Sequence, residues 1–108
     1  MANDFKNAQA VGVTSVTTIY TAPAAKTSIL LELDIANTTQ NVVEANVEIF
    51  DTSASTDAFL VKNAPVPAGG TLQVVAGQKI ILEATDIVKV TATGAVDVLA
   101  AILEDVNS

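Results

Sequence analysis

Apolar and polar residues alternate along much of this chain with a period of two. Between Thr27 and Ala36, Leu31, Leu33 and Ile35 fall on one side and Glu32 and Asp34 on the other. Between Val42 and Phe50, Val43, Ala45, Val47 and Ile49 oppose Glu44, Asn46 and Glu48. A strand points successive side chains to opposite faces, so this pattern predicts half-buried strands rather than helices. Further strands are predicted over Val13–Thr21, Ala58–Asn63, Thr71–Val75, Ile80–Glu83, Ile87–Ala92 and Ala95–Leu103. The segments between them are polar or carry Pro and Gly, as in Ala22-Pro23-Ala24-Ala25-Lys26 and the stretch from Ala64 to Gly70. Such turn signals at intervals of about eight to twelve residues are the spacing of a sandwich or barrel.

The expected fold is therefore all-β. It is a small antiparallel β-sandwich of about eight strands, the jelly roll being one arrangement it admits. Residues 11–108 make a single domain, the usual share of chain for one core. Residues 1–10 are polar and read as an N-terminal arm able to flex, with Asn3, Asp4, Phe5 and Lys6 as its candidate docking residues. No charged stretch leading into an apolar run marks a secretory leader there.

The last predicted strand differs from the others. Val96, Val98, Ala100 and Ile102 make one apolar face, and Leu99, Ala101 and Leu103 make a second. Two readings follow. The strand lies in the middle of the sandwich with an outer face that is simply Ala-rich, or Leu99, Ala101 and Leu103 form a seam with another subunit.

Composition narrows the function more than the fold. The 108 residues include no His, Cys or Trp, and all five basic residues are lysines. The commonest general base, the commonest metal ligand and thiolate chemistry are thus removed. Scattered lysines on a chain of net charge -7 make no nucleic-acid footprint. No apolar run approaches the roughly 20 residues of a membrane-spanning helix. Neither a nucleic acid nor a membrane is expected as a partner.

Three constellations invite chemistry. Asp51 and Asp57 flank a Ser/Thr-rich loop and offer oxygen ligands to a hard cation, but the calcium-loop spacing is absent and a solvated loop with Asx turns fits better. Glu32, Asp34, Glu44 and Glu48 lie on the polar faces of two strands expected to form a hairpin. A glycosidase needs paired carboxylates, yet it also needs aromatic platforms, and this chain has one Tyr and three Phe. Ser and Thr lack an adjacent His base, and neither a G-x-S-x-G elbow nor a P-loop occurs. No catalytic, cofactor or metal residue is assigned, and an enzyme is not expected.

Thr18-Ile-Tyr-Thr-Ala-Pro-Ala-Ala-Lys-Thr27 followed by Ile29 to Asn37, then Val66-Pro-Ala-Gly-Gly-Thr-Leu72, Lys79 to Glu83 and Asp86 to Val90, resemble small virion proteins of tailed bacteriophages. The resemblance covers roughly Val16 to Leu103 and is one of strands and turns. It implies a non-enzymatic structural protein of the virion, made in the host cytoplasm. A capsid decoration or cement protein on the outer shell is the first expectation, and a neck, tail or fibre-associated structural or adhesion module is the alternative. The implied partners are further copies of the chain, a trimer being favoured, and the major capsid protein or another virion protein. Ala25 stands where those proteins usually carry Gly, which implies a turn with no need of positive φ.

Overall fold

The computed structural model describes residues 4–105, all of them strand, turn or connection. Eight strands follow in order: β1 (Asp4–Val13), β2 (Thr17–Thr21), β3 (Ser28–Asn37), β4 (Val43–Asp51), β5 (Thr56–Val66), β6 (Thr71–Leu82), β7 (Ile87–Ala92) and β8 (Val96–Glu104). They form two four-stranded sheets, β1-β8-β3-β6 (sheet A) and β2-β7-β4-β5 (sheet B), and every pairing is antiparallel.

The pairing has a simple logic. β4 meets β5, β3 meets β6, β2 meets β7 and β1 meets β8, as if one long hairpin were folded about the β4–β5 turn. Rolling that hairpin up brings β3 beside β8 and β4 beside β7, which closes the two sheets into a jelly roll.

The inner faces supply an aliphatic core. Leu30, Leu33, Ile35, Val75, Leu82, Val98, Ala100 and Ile102 of sheet A meet Val43, Ala45, Val47, Val66, Val88, Val90 and Ala92 of sheet B, all of them buried. Branched aliphatics pack well on pleated surfaces, so a core of this size forms without a buried aromatic ring. Truncating one of its large members, as in Leu33→Ala, should cost about 2–5 kcal/mol.

Five expectations are corrected. The polar segment expected to be an arm is, from Asp4 onward, strand β1, in continuous register with β8 from Asp4 to Ala10. Its alternation was hidden because β1 is an edge strand with few buried side chains; Asn3 lies outside the described residues. The run Val13–Thr21 breaks at residues 14–16, where the chain crosses from sheet A to sheet B. The two short strands expected at Thr71–Val75 and Ile80–Glu83 are one strand, kinked where Gly77 (φ 108) and Lys79 (φ 55) interrupt its register with β3. At the same level β3 carries an irregularity at Leu31, so Leu30 takes the core place that unbroken alternation assigned to Leu31. The turn after Pro23 does use positive φ: Ala25 sits at 64°. The chain accepts that strain to close the turn with the Lys26 N–H on the Pro23 carbonyl, 3.4 Å away.

Candidate interaction faces

β3 and β4 are not a hairpin. They lie in different sheets, so Glu32 and Asp34 face outward on sheet A while Glu44 and Glu48 belong to sheet B. The four carboxylates therefore never meet across one site. The crossing is fixed by Asn37, which is buried. Its Nδ2 donates to the carbonyls of Asn41 (2.7 Å) and Val66 (3.0 Å), and its Oδ1 accepts the N–H (2.9 Å) and hydroxyl (2.8 Å) of Thr39. Its backbone also bonds both Gly69 and Gly70.

β8 lies between β1 and β3, the central position that the double apolar pattern allowed. Val96, Val98, Ala100 and Ile102 enter the core, whereas Leu99 is 46% exposed and Ala101 and Leu103 are half-buried. The structure brings this outward face into register with neighbours that the sequence did not connect. Phe5 pairs with Leu103, Leu103 with Ile29, and Ile29 with Ile81, so one apolar row crosses all four strands of sheet A. Phe5 is 77% exposed and Ile81 57%. Exposed apolar residues in a continuous row mark a contact surface far better than the same residues scattered singly.

Beside this row the face turns acidic. Glu32 stands opposite Ala101, Asp34 opposite Leu99, and Asp97 opposite Ala36. A shallow cleft of about 380 Å³ opens there, lined by Gln9, Val11, Asp34, Thr71, Asp97 and Leu99 among others. Burial, reinforced by the Glu32 carboxyl beside it, pushes Asp34 up to about 6. The outward face of sheet B is balanced instead. Glu48 pairs with Lys89 across β4 and β7, and Lys62 and Lys89 sit over the rings of Phe59 and Phe50 at 5.0 and 4.9 Å. Asp57 beside Glu48 raises that carboxyl above its ordinary range, and the two lysines oppose the rise.

Of the candidate docking residues, Asp4, Phe5 and Lys6 belong to β1. Lys6 reaches Glu104 at 3.1 Å, so its charge is already engaged within the fold. Asp57 stands opposite Phe50 and Asp51 opposite Thr56, so the two aspartates fall on opposite faces of sheet B. Asp51 Oδ1 accepts the Ser53 hydroxyl and the Ala54 N–H, an Asx turn. Asp51 does approach Glu83 and Asp86, residues far apart in sequence, with carboxylate oxygens within 4.8 Å of one another. Asp86 is buried there and accepts the N–H groups of Thr52 and Glu83, so it ties the β4–β5 turn to the β6–β7 turn.

Tyr20 and Glu104 are the further pair that sequence reasoning missed. The Tyr20 hydroxyl crosses from sheet B to donate to Glu104 at 2.5 Å and lies 3.1 Å from the Ser28 hydroxyl. The hydrogen bond from Tyr20, with Lys6 and Lys26 nearby, holds Glu104 below the usual carboxylate range despite its burial. Burial and the adjacent Glu104 push Tyr20 up to about 12. Only the registers Ser28–Glu104 and Thr21–Ile87 place these groups at the same end, and no local motif announces them.

Among the described residues there is no helix long and apolar enough to cross a membrane. No protein-family model matches the chain, and no curated protein is similar to it in sequence.

Proposed function

We propose that this protein is a non-enzymatic structural component of a bacteriophage virion, a capsid decoration or cement protein that seats the outward face of sheet A on the shell. The observation that carries the proposal is the apolar row Phe5–Leu103–Ile29–Ile81, flanked by Leu99 and open to solvent. The acidic rim of Glu32, Asp34 and Asp97 chooses the kind of partner. A second copy brought face to face would set like charges against like, whereas a shell surface with basic groups around an apolar patch is complementary. The jelly roll is an architecture that viral capsid and lectin domains share, which is a likeness of fold and not of site. Each docked copy need contribute only a modest contact, because the contact repeats over the shell.

The test is electron microscopy of particles assembled with the wild-type chain and with Leu99→Glu, alongside cosedimentation of the purified proteins with shells. Wild-type protein should coat the shell in many copies, and Leu99→Glu, folded but charged on this face, should be lost from it. A few copies at one vertex or on fibres would move the protein to the neck or tail. Absence from particles would overturn the virion reading altogether.

A further inference from the structure

A jelly roll leaves four strands at sheet edges, here β1 and β6 in sheet A and β2 and β5 in sheet B. Such edges expose unpaired N–H and C=O groups and are usually blunted. Three of the four are. β2 has only five residues and shifts register between Thr18 and Tyr20. β5 carries Pro65, a left-handed Asn63 (φ 55) and two register shifts. β6 is kinked at Gly77 and Lys79. β1 has none of these devices from Asp4 to Ala10, where it follows β8 residue for residue, and its first irregularity comes after Ala10 near Gly12 (φ 67). From Asn7 to Val11 it also carries no charge.

We infer that β1 pairs with β1 of a second copy, antiparallel about a two-fold axis at Ala8, joining the two A sheets into one continuous sheet. The register follows from the side chains. Phe5 and Val11 are 77% and 79% exposed and project from the same side of β1. An axis at Ala8 sets Asn7 opposite Gln9 and Lys6 opposite Ala10 within the regular stretch, and at its margin, where β1 turns irregular, brings Phe5 of each copy to Val11 of the other and Asp4 to Gly12. No like charges are opposed, and both exposed apolar side chains gain an apolar partner. Shifting the axis by one residue sets Phe5 opposite Gln9 or Val13 and loses that match. The contact is isologous, so it closes as a dimer rather than the trimer the family resemblance favours. The acidic rim that argues against face-to-face stacking does not oppose this edge-to-edge arrangement. The inference stands apart from the virion reading, since the edge pairs with or without a shell.

The chain contains no cysteine, so a single introduced thiol reports the register cleanly. Directly opposite residues in an antiparallel pair lie about 4.5–5.5 Å apart at Cα, within the reach of a disulfide. Ala8→Cys should therefore give a covalent dimer on mild oxidation. Ala10→Cys should not, because its two thiols would sit about 13 Å apart along the strands. In sedimentation the wild type should dimerise reversibly, and the double variant Asn7→Lys with Gln9→Lys should weaken the dimer at least tenfold with its far-ultraviolet dichroism unchanged. A wild type that stays monomeric at all concentrations, a trimer, equal crosslinking by the two cysteine variants, or no effect of the lysines would each overturn the inference. A dimer that never joins a particle would leave it standing and remove the virion reading.

Discussion

The two ends of the sandwich solve one problem in different ways. At each end the aliphatic core runs out and polar groups must hold the sheets together. At one end, near the Val13–Val96 pair, Asn37 does this with a neutral amide. Both of its donors and its carbonyl oxygen are satisfied within the corner, and its backbone bonds the Pro/Gly-rich connection between β5 and β6. At the other end, near the Asp4–Glu104 pair, the link is a carboxylate: Glu104, held by Tyr20 from the opposite sheet and by Lys6. The amide link has no proton to gain or lose near neutrality. The charged end holds an ionised group in place, so its contribution depends on pH.

The largest effect should come from breaking the neutral end. Asn37→Ala takes the Nδ2 donor from the Val66 and Asn41 carbonyls and the Oδ1 acceptor from the Thr39 N–H, and should cost about 3 kcal/mol in urea denaturation, equally at pH 7 and pH 5. At the same end, a Cβ at Gly94 would come within 2.6 Å of Val43 Cγ1. Gly94→Ala should therefore lose about 2 kcal/mol through overpacking, again without pH dependence.

The charged end should respond less, and differently. Tyr20→Phe should cost about 1.5 kcal/mol at pH 7, the worth of a hydrogen bond to a charged acceptor. Glu104 is held below its ordinary value of 4.5. Its contribution is thus complete above that value and disappears as the pH falls through the lower folded value, so the Tyr20→Phe penalty should shrink in acid. The phenol behaves oppositely, its contribution being complete below 10 and lost as the pH rises to about 12. On the outer face Asp34 also has the opposite sign to Glu104. Raised from 3.8 to about 6, it favours the fold below 3.8 and loses that contribution as the pH climbs through 6. Asp34→Asn should therefore flatten the profile between pH 4 and 6 while leaving the acid limb of Glu104. The smallest effect belongs to the turn beside the charged end. Ala25→Gly relieves the left-handed strain and should raise stability by about 0.5 kcal/mol, net of the entropy that glycine adds to the unfolded chain, measurable as a rise of about 3 °C in melting temperature.

Much of the architecture was readable along the chain because its strands are half-buried. Alternation marked β3, β4 and β7, and the double apolar pattern of β8 admitted a central strand as one of two readings, the one the sheet order shows. β1 is not legible in the sequence because an edge strand with solvent on most of its side chains has no apolar period to show. The candidate face was half legible. Leu99, Ala101 and Leu103 stand out in the sequence, but Phe5, Ile29 and Ile81 join them only through cross-strand register, which no local pattern encodes. The polar hubs Asn37, Asp86 and Glu104 look like ordinary turn or tail residues in sequence, since each acts on groups brought near it by the roll of the hairpin.

The amino-acid sequence by itself determined that this protein is all-β, with an aliphatic core, no His or Cys chemistry and an acidic surface. These follow from residue type and a period of two, both local properties. Tertiary structure alone decided which sheet each strand joined, and so separated the carboxylates of β3 from those of β4. It shifted the phase of β3 at Leu31, lined up the apolar row across sheet A and left β1 an edge strand in regular register from Asp4 to Ala10. Those outcomes depend on which strands become neighbours, and that is settled by closure of a shared core rather than by any one strand's preference.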